Sequence, residues 1–526
     1  MAQPNILLVM ADQLGAPFLP IHGHPVVQAP AVERLASRGV VFASAYSNSP
    51  LCAPARFTMM SGQRNSRIGA YDNASELPAS VPTLAHHLRF LGYQTVLSGK
   101  MHFIGPDQLH GYERRLTTDI YPADFGWTPN WDDPDGRFDW WFHDMDSVVH
   151  AGIAEATNQL DFDDDVGHLA LRAIRDFARG DDGRPWFLTV SFTHPHDPYV
   201  MRRAFWDRYD HAAIDLPRVL REDVDPDAHS QRLRRVSAMD EVELTDEIVR
   251  TARHAYYACI SYVDDWLARL LEALEVTGMA DDTVVVFTAD HGDHLGERGL
   301  WYKMSFFEPS THIPLVIRAP GAGAGVAVDD HVSLLDLLPT LVELAGGDPA
   351  GDLGHVVDGT SLVPALHGDR DPDRTVLGEY LGEGAVAPIF MIRRHQWKFV
   401  WSQPDGAQLF NLRLDPDERR NLAVTAAHAA TVAAFRAEVD TVWDPARIHA
   451  EVLASQRARR AVDRALRTGR YAAWDYVPIP DSANQYVRNH RDLRLVEASR
   501  RYPRPMVAPP AVRVASGGEP VGVGAP

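Results

Sequence analysis

The chain has 526 residues, 45% of them hydrophobic and 23% charged, which is ordinary for a soluble globular protein and long enough for two or more cores. Its 71 acidic residues outnumber 51 basic ones for a formal charge of -20, which excludes a surface built for nonspecific nucleic-acid binding, where clustered Lys and Arg must meet phosphates. With only two cysteines, Cys52 and Cys259, a disulfide framework is excluded too.

In chain order, residues 6–10 form an apolar run with no basic flank, too short for a signal peptide or a membrane span. It reads as a buried strand, and the expectation is a cytoplasmic protein with no membrane partner. This strand ends at Asp12-Gln13. Further strands are expected over 40–46, leading to Cys52; over 94–97, leading to Lys100-Met101-His102; over 186–192, leading to His194-Pro195-His196-Asp197; and over 283–288, ending at Asp290-His291-Gly292-Asp293. Helical patterns separate them, and Cys259 sits in one at 255–260, where a structural role is expected.

Past about residue 370 the pattern changes to short antiparallel strands over 376–381, 388–393, 397–401 and 408–412, with turn signals at 393–396 and at Pro404-Asp405-Gly406. Helical periodicity returns over 425–442 and 447–467, the latter basic on one face, and 503–526 reads as a mobile tail. The fold class is therefore α/β: a large mixed, mostly parallel sheet sandwiched by helices over 1–370, a smaller antiparallel-sheet subdomain over 371–470, and an extended C-terminal arm over 471–526.

In open α/β sheets the carboxyl ends of parallel strands lie along one edge, where ligands bind. Residues remote in sequence converge there. Asp12 and Asp290 bring hard carboxylate oxygens and His291 an imidazole, a set that suits a divalent cation favouring oxygen. Cys52 stands just ahead of a helix beginning near Pro54, so an anion beside it would meet free N–H groups and the positive end of the helix dipole. Arg56, on the first turn, offers a planar donor fork for that anion. Lys100, His102 and Lys303 add cationic donors of the kind that stabilise a transferring oxyanion.

The run Cys52-Ala53-Pro54-Ala55-Arg56, followed by Met60-Ser61-Gly62, resembles a sulfatase signature. Gly99-Lys100-Met101-His102, Pro195-His196-Asp197-Pro198, Asp290-His291-Gly292 and the stretch from Leu409 to Ala423 extend the likeness to the sulfatase branch of the alkaline phosphatase superfamily over nearly the whole chain. The resemblance implies that Cys52 is oxidised to formylglycine by a maturase. Its hydrated aldehyde attacks sulfur through one hydroxyl, and the second then expels sulfate. It also implies that Asp12, Cys52, Asp290 and His291 bind a metal, with Arg56, Lys100, His102, His196 and Lys303 around the nucleophile and sulfate. An alkyl alcohol leaves poorly, so Lys303, His102 or His196 is expected to protonate it.

Many sulfatases carry a second acidic residue where this chain has Gln13, and Asn where it has His291, a departure that resembles choline sulfatases and phosphonate monoester hydrolases and keeps both calcium and manganese open. Tyr121 to Pro129, Asp139 to His143, Gly296 to Glu308 and Gly378 to Gly384 look like choline sulfatases in particular. The aromatic loop holds Trp127, Trp131, Trp140 and Trp141 among acidic residues. A quaternary ammonium has no N–H, so aromatic faces and carboxylates must recognise it. Trp127, His143 and Glu379 are chosen for that pocket, with Asp492 reaching it from the arm. Phe57, Pro309 and His312 depart from the pattern.

The resemblance further implies a homo-oligomer, dimer or tetramer, built through the arm. Sulfate ester hydrolysis with choline-O-sulfate as substrate is the expectation. The alternatives are a phosphonate monoester or phosphodiester hydrolase, and a noncatalytic sulfate- or metal-binding protein if Cys52 stays a thiol.

Overall fold

A computed structural model describes residues 3–134, 136–137, 145–470 and 473–476. His143 and Asp492, chosen for the ammonium pocket, and most of the arm lie outside the described residues.

Each of the five expected strands forms, over Asn5–Asp12, Val40–Tyr46, Gln94–Gly99, Trp186–Pro195 and Thr283–Ala289. In the large sheet Asn5–Asp12 lies between Trp186–Pro195 and Thr283–Ala289, parallel to both, and Gln94–Gly99 runs parallel on the far side of Trp186–Pro195. Beyond Thr283–Ala289 the direction reverses at Leu315–Arg318 and returns at Val40–Tyr46, which is flanked by the parallel strand Val326–Ser333. The sheet is thus mixed but mostly parallel, and the five strands point their carboxyl ends to one edge.

The central strands are buried along almost their whole length, and mostly apolar, because both faces are covered. Side chains alternate along a strand, so Phe192 and Thr189 face opposite sides. Phe192 packs against Trp266 of the helix Asp246–Val276, while Thr189 meets Tyr112, which in turn reaches Met60 of the helix Cys52–Ser61. Cys259 lies buried on Asp246–Val276 with its thiol toward the Val200 carbonyl, the structural place expected of it.

The second sheet is a four-stranded antiparallel meander over Thr375–Tyr380, Ile389–Arg394, Trp397–Ser402 and Gly406–Asn411. The helices Ala429–Val442 and Pro445–Leu466 follow.

Candidate active site

Glycine sets the geometry after the third strand. Gly99 has φ 106°, and a Cβ there would fall 2.0 Å from the Ser191 carbonyl oxygen, so no other residue lets the chain turn so tightly against its neighbour. That turn points Lys100 back at the first strand, where it pairs with Asp12. Its ammonium also stands 4.1 Å from the centre of the Tyr121 ring.

Cys52 is the first residue of its helix, not a residue ahead of it, with Leu51 as the cap. The Ala53 N–H, one of the free donors of the first turn, is taken by Asn73 Oδ1 at 3.0 Å. Cys52 Sγ lies 3.2 Å from His291 Nε2 and 3.8 Å from Asp12 Oδ1. Burial, reinforced by Asp12, pushes its thiol up to about 11, so as a plain cysteine it would stay protonated near neutral pH.

Asp12, Cys52, Asp290 and His291 each present an atom within 4.8 Å of the others, all of it buried. The donor chemistry fits a divalent cation. His291 Nδ1 faces the Gly292 carbonyl at 3.0 Å, which places its proton there and leaves the Nε2 lone pair toward the cluster. Burial holds that imidazole below its usual range despite the Asp290 charge. Asp290 accepts the Gln13 and His291 N–H groups on Oδ1 and Arg56 Nε on Oδ2. Burial opposes charge on Asp12, but Lys100 and Arg56 outweigh it and keep the carboxyl well below its usual range. A divalent cation bound here should therefore raise Tm, because a ligand that binds only the folded state stabilises it. A thermal-shift titration of chelator-treated protein with a series of divalent cations checks this, and the ion that acts at the lowest concentration is the best fit.

Arg56 corrects one expectation. Four of its five N–H donors are already engaged: Nε binds Asp290 at 2.9 Å, Nη2 binds Asp12 at 3.2 Å, and Nη1 reaches the Lys100 carbonyl at 2.6 Å and Ser191 Oγ at 2.8 Å. This buried guanidinium fixes the two carboxylates instead, and the nearby anions raise its already high pKa further against burial.

On the other side of Cys52, Lys303 Nζ donates to Gln13 Oε1 at 2.6 Å and to His196 Nε2 at 2.8 Å. His196 Nδ1 donates to the Asp197 carbonyl at 2.7 Å, so the ring is a neutral tautomer, and burial with the Lys303 charge keeps it so. Burial also brings His102 down to about 3. Neither ring nitrogen of His102 has a hydrogen-bond partner among the described residues, and the ring packs against Tyr121 and, edge-on, Trp127.

Gln13 replaces an acid for a visible reason. Its amide nitrogen donates to Asp197 Oδ1 at 3.2 Å and Asp293 Oδ2 at 2.6 Å while its oxygen accepts from Lys303. A third carboxylate would find two others already there. Burial and Asp293 push Asp197 up to about 7.

The carboxylate chosen for the ammonium pocket is engaged elsewhere. Glu379, on the strand Thr375–Tyr380, spends its oxygens on Ser66 N–H, Ser66 Oγ and Trp443 Nε1. Glu383, four residues later, is fully buried, and neither of its oxygens has a hydrogen-bond partner among the described residues. Burial and then Asp72 raise it to about 8, against the opposing charge of Lys303. Trp127 packs edge-on against Tyr121 and His102. Phe57 stacks on Phe103, and His312 sits between Tyr46, Glu308 and the Ala43 carbonyl, so both departures are absorbed by packing.

Comparison with known proteins adds an independent finding. The sulfatase family model matches residues 4–347, a model for the C terminus of choline sulfatase enzymes matches 450–502, and one for the C terminus of N-sulphoglucosamine sulphohydrolase matches 296–444. A choline-sulfatase of Rhizobium meliloti is 48% identical over 511 residues, 95% of this chain and 99% of that protein. Among solved structures, the phosphonate monoester hydrolase of Agrobacterium radiobacter superposes with a TM-score of 0.66 at 24% identity, covering 86% of this chain and 96% of the other. A 2-O GAG sulfatase gives 0.64 at 23%, covering 84% and 92%.

Proposed function

The chain belongs to the sulfatase family and is a sulfuric ester hydrolase, and from that premise we propose that it cleaves choline-O-sulfate to choline and sulfate with a formylglycine made from Cys52. The observation that carries the substrate is the likeness, along almost the whole chain, to a choline-sulfatase. Glu383 supports it from the site itself. A buried carboxyl with no donor gains from a cation, and a quaternary ammonium supplies charge without needing an acceptor.

In this reading Asp12, Asp290, His291 and the modified Cys52 hold calcium or manganese, which when bound polarises a sulfate oxygen and favours ionisation of a neighbouring hydroxyl. Lys100 and His102 sit beside the nucleophile to receive sulfate oxygens. Lys303, with its proton in place, faces the departing alcohol, and Trp127 with Glu383 forms the ammonium end of the pocket. A formylglycine-generating maturase is the implied partner, and a homo-oligomer the implied assembly.

The test is a kinetic panel of choline-O-sulfate, an aryl sulfate and a phosphonate monoester. Choline-O-sulfate is expected to give the highest kcat/KM, and a higher value on the phosphonate would overturn the assignment. Within that panel, Glu383→Gln should raise KM for choline-O-sulfate roughly tenfold or more, the size of a lost charge-assisted contact, with kcat and the aryl sulfate little changed.

A further inference from the structure

The basic face of the helix Pro445–Leu466 is turned onto the aromatic loop, and that contact suggests a role. Gln456 Oε1 accepts the Trp131 N–H at 2.9 Å, and the Trp131 indole donates to the Gly382 carbonyl at 3.0 Å, one residue before Glu383. Arg459 grips Asp72 with both terminal nitrogens at 2.6 Å and reaches Thr128 Oγ1 at 3.3 Å, next to Trp127. Gln456 is 2% exposed, Arg459 7% and Asp72 0%, so these are interior contacts rather than surface pairing. Arg457 with Asp132 and Arg460 with Asn130 continue the seam outward.

We propose that Gln456 and Arg459 are positioning residues that set the enzyme's preference for a cationic leaving group, by holding the Trp127 wall and the Glu383 wall of the pocket in register. The proposal rests on the reading that the alcohol is a quaternary ammonium. Both walls are loops, at 123–134 and 381–388, and neither is part of a sheet. The helix reaches both of them. One contact passes through Trp131 to Gly382, and the other passes through Asp72, the charge that most raises Glu383 after burial. Arg459 neutralises that charge, so losing it disturbs the electrostatics of the Glu383 wall as well as its geometry. The sulfate end of the site is fixed separately by Arg56 and the strand ends.

The experiment compares Arg459→Met, Arg459→Lys and Gln456→Met in the full chain, each on choline-O-sulfate and on 4-nitrophenyl sulfate, which has no cationic group. For Arg459→Met, KM for choline-O-sulfate is expected to rise roughly tenfold or more, with kcat held within about twofold and aryl sulfate kcat/KM within about twofold. Gln456→Met should move the same KM by about threefold, and Arg459→Lys, which keeps charge but loses the bidentate fork, should fall between. Equal losses on both substrates would mean that the helix only supports the fold, and unchanged KM in all three would remove the role; either overturns the proposal. If Arg459→Met does not fold, Gln456→Met decides. A wild-type enzyme without preference for choline-O-sulfate overturns the substrate reading and the proposal with it, whereas variants that keep a wild-type preference overturn the proposal alone.

Discussion

Cys52→Ser is expected to lose turnover by roughly ten-thousandfold or more on every sulfate ester while keeping its fold, the scale on which removing a nucleophile acts. The fold should survive because the replacement is nearly isosteric at a site buried between Ala53, His291 and Asp12. The loss follows from the chemistry available there. As a thiol, Cys52 is pushed up to about 11 by burial and Asp12, so the unmodified residue is not an activated nucleophile. A serine has one hydroxyl and no second one to expel sulfate, so any attack it makes should end in a stable ester. Intact-mass spectrometry separates the cases: wild type made with its maturase should carry the aldehyde at residue 52, and Cys52→Ser incubated with substrate should gain one sulfo group, releasing one equivalent of alcohol but no free sulfate and not turning over again. Full activity in the variant, or an unmodified thiol in active wild type, would remove Cys52 from the mechanism.

The edge that holds this chemistry was legible because its signals are local. An apolar run followed by Asp12, Lys100, His196 or Asp290 marks both a strand and its carboxyl end, and the parallel order of those strands then brings the four together. What sequence could not tell is where a side chain's hydrogen bonds go. Glu379 and Glu383 lie in one short glycine-flanked stretch and look equivalent there. The strand stops at Tyr380, so Glu379 points from the sheet to Ser66 and Trp443 while Glu383 is left on the loop with neither oxygen bonded among the described residues. Arg56 is a similar case. Its place on the helix was plain, but its commitment to Asp12 and Asp290 depends on strands that approach from far along the chain. Asp197 and Asp293 were visible in the motifs, yet their joint hold on the Gln13 amide appears only in three dimensions.

The three candidate acids are separated by the same kind of evidence. Lys303→Met should lower kcat on choline-O-sulfate by roughly a hundredfold to ten-thousandfold, the range for removing a general acid, and lower it by about tenfold or less on an aryl sulfate whose phenolate leaves without help. His196 has its Nδ1 proton in use at the Asp197 carbonyl and its Nε2 lone pair occupied by Lys303, and burial keeps it well below its usual range. His102, brought to about 3 by burial, is likewise neutral at working pH and has no proton to spare as an imidazolium. Lys303 runs the other way. Burial alone would lower its ammonium, but the carboxylates of Asp197, Asp12 and Asp290 around it prevail and raise it, so it keeps its proton across neutral pH. An acid raised above the ordinary lysine range is lost only as pH climbs through that higher value, and the wild-type rate on the alkyl ester should therefore hold on the alkaline side of neutrality. A Lys303→Met enzyme that loses equal activity on alkyl and aryl esters would instead place this lysine on the sulfate, where both substrates need it alike.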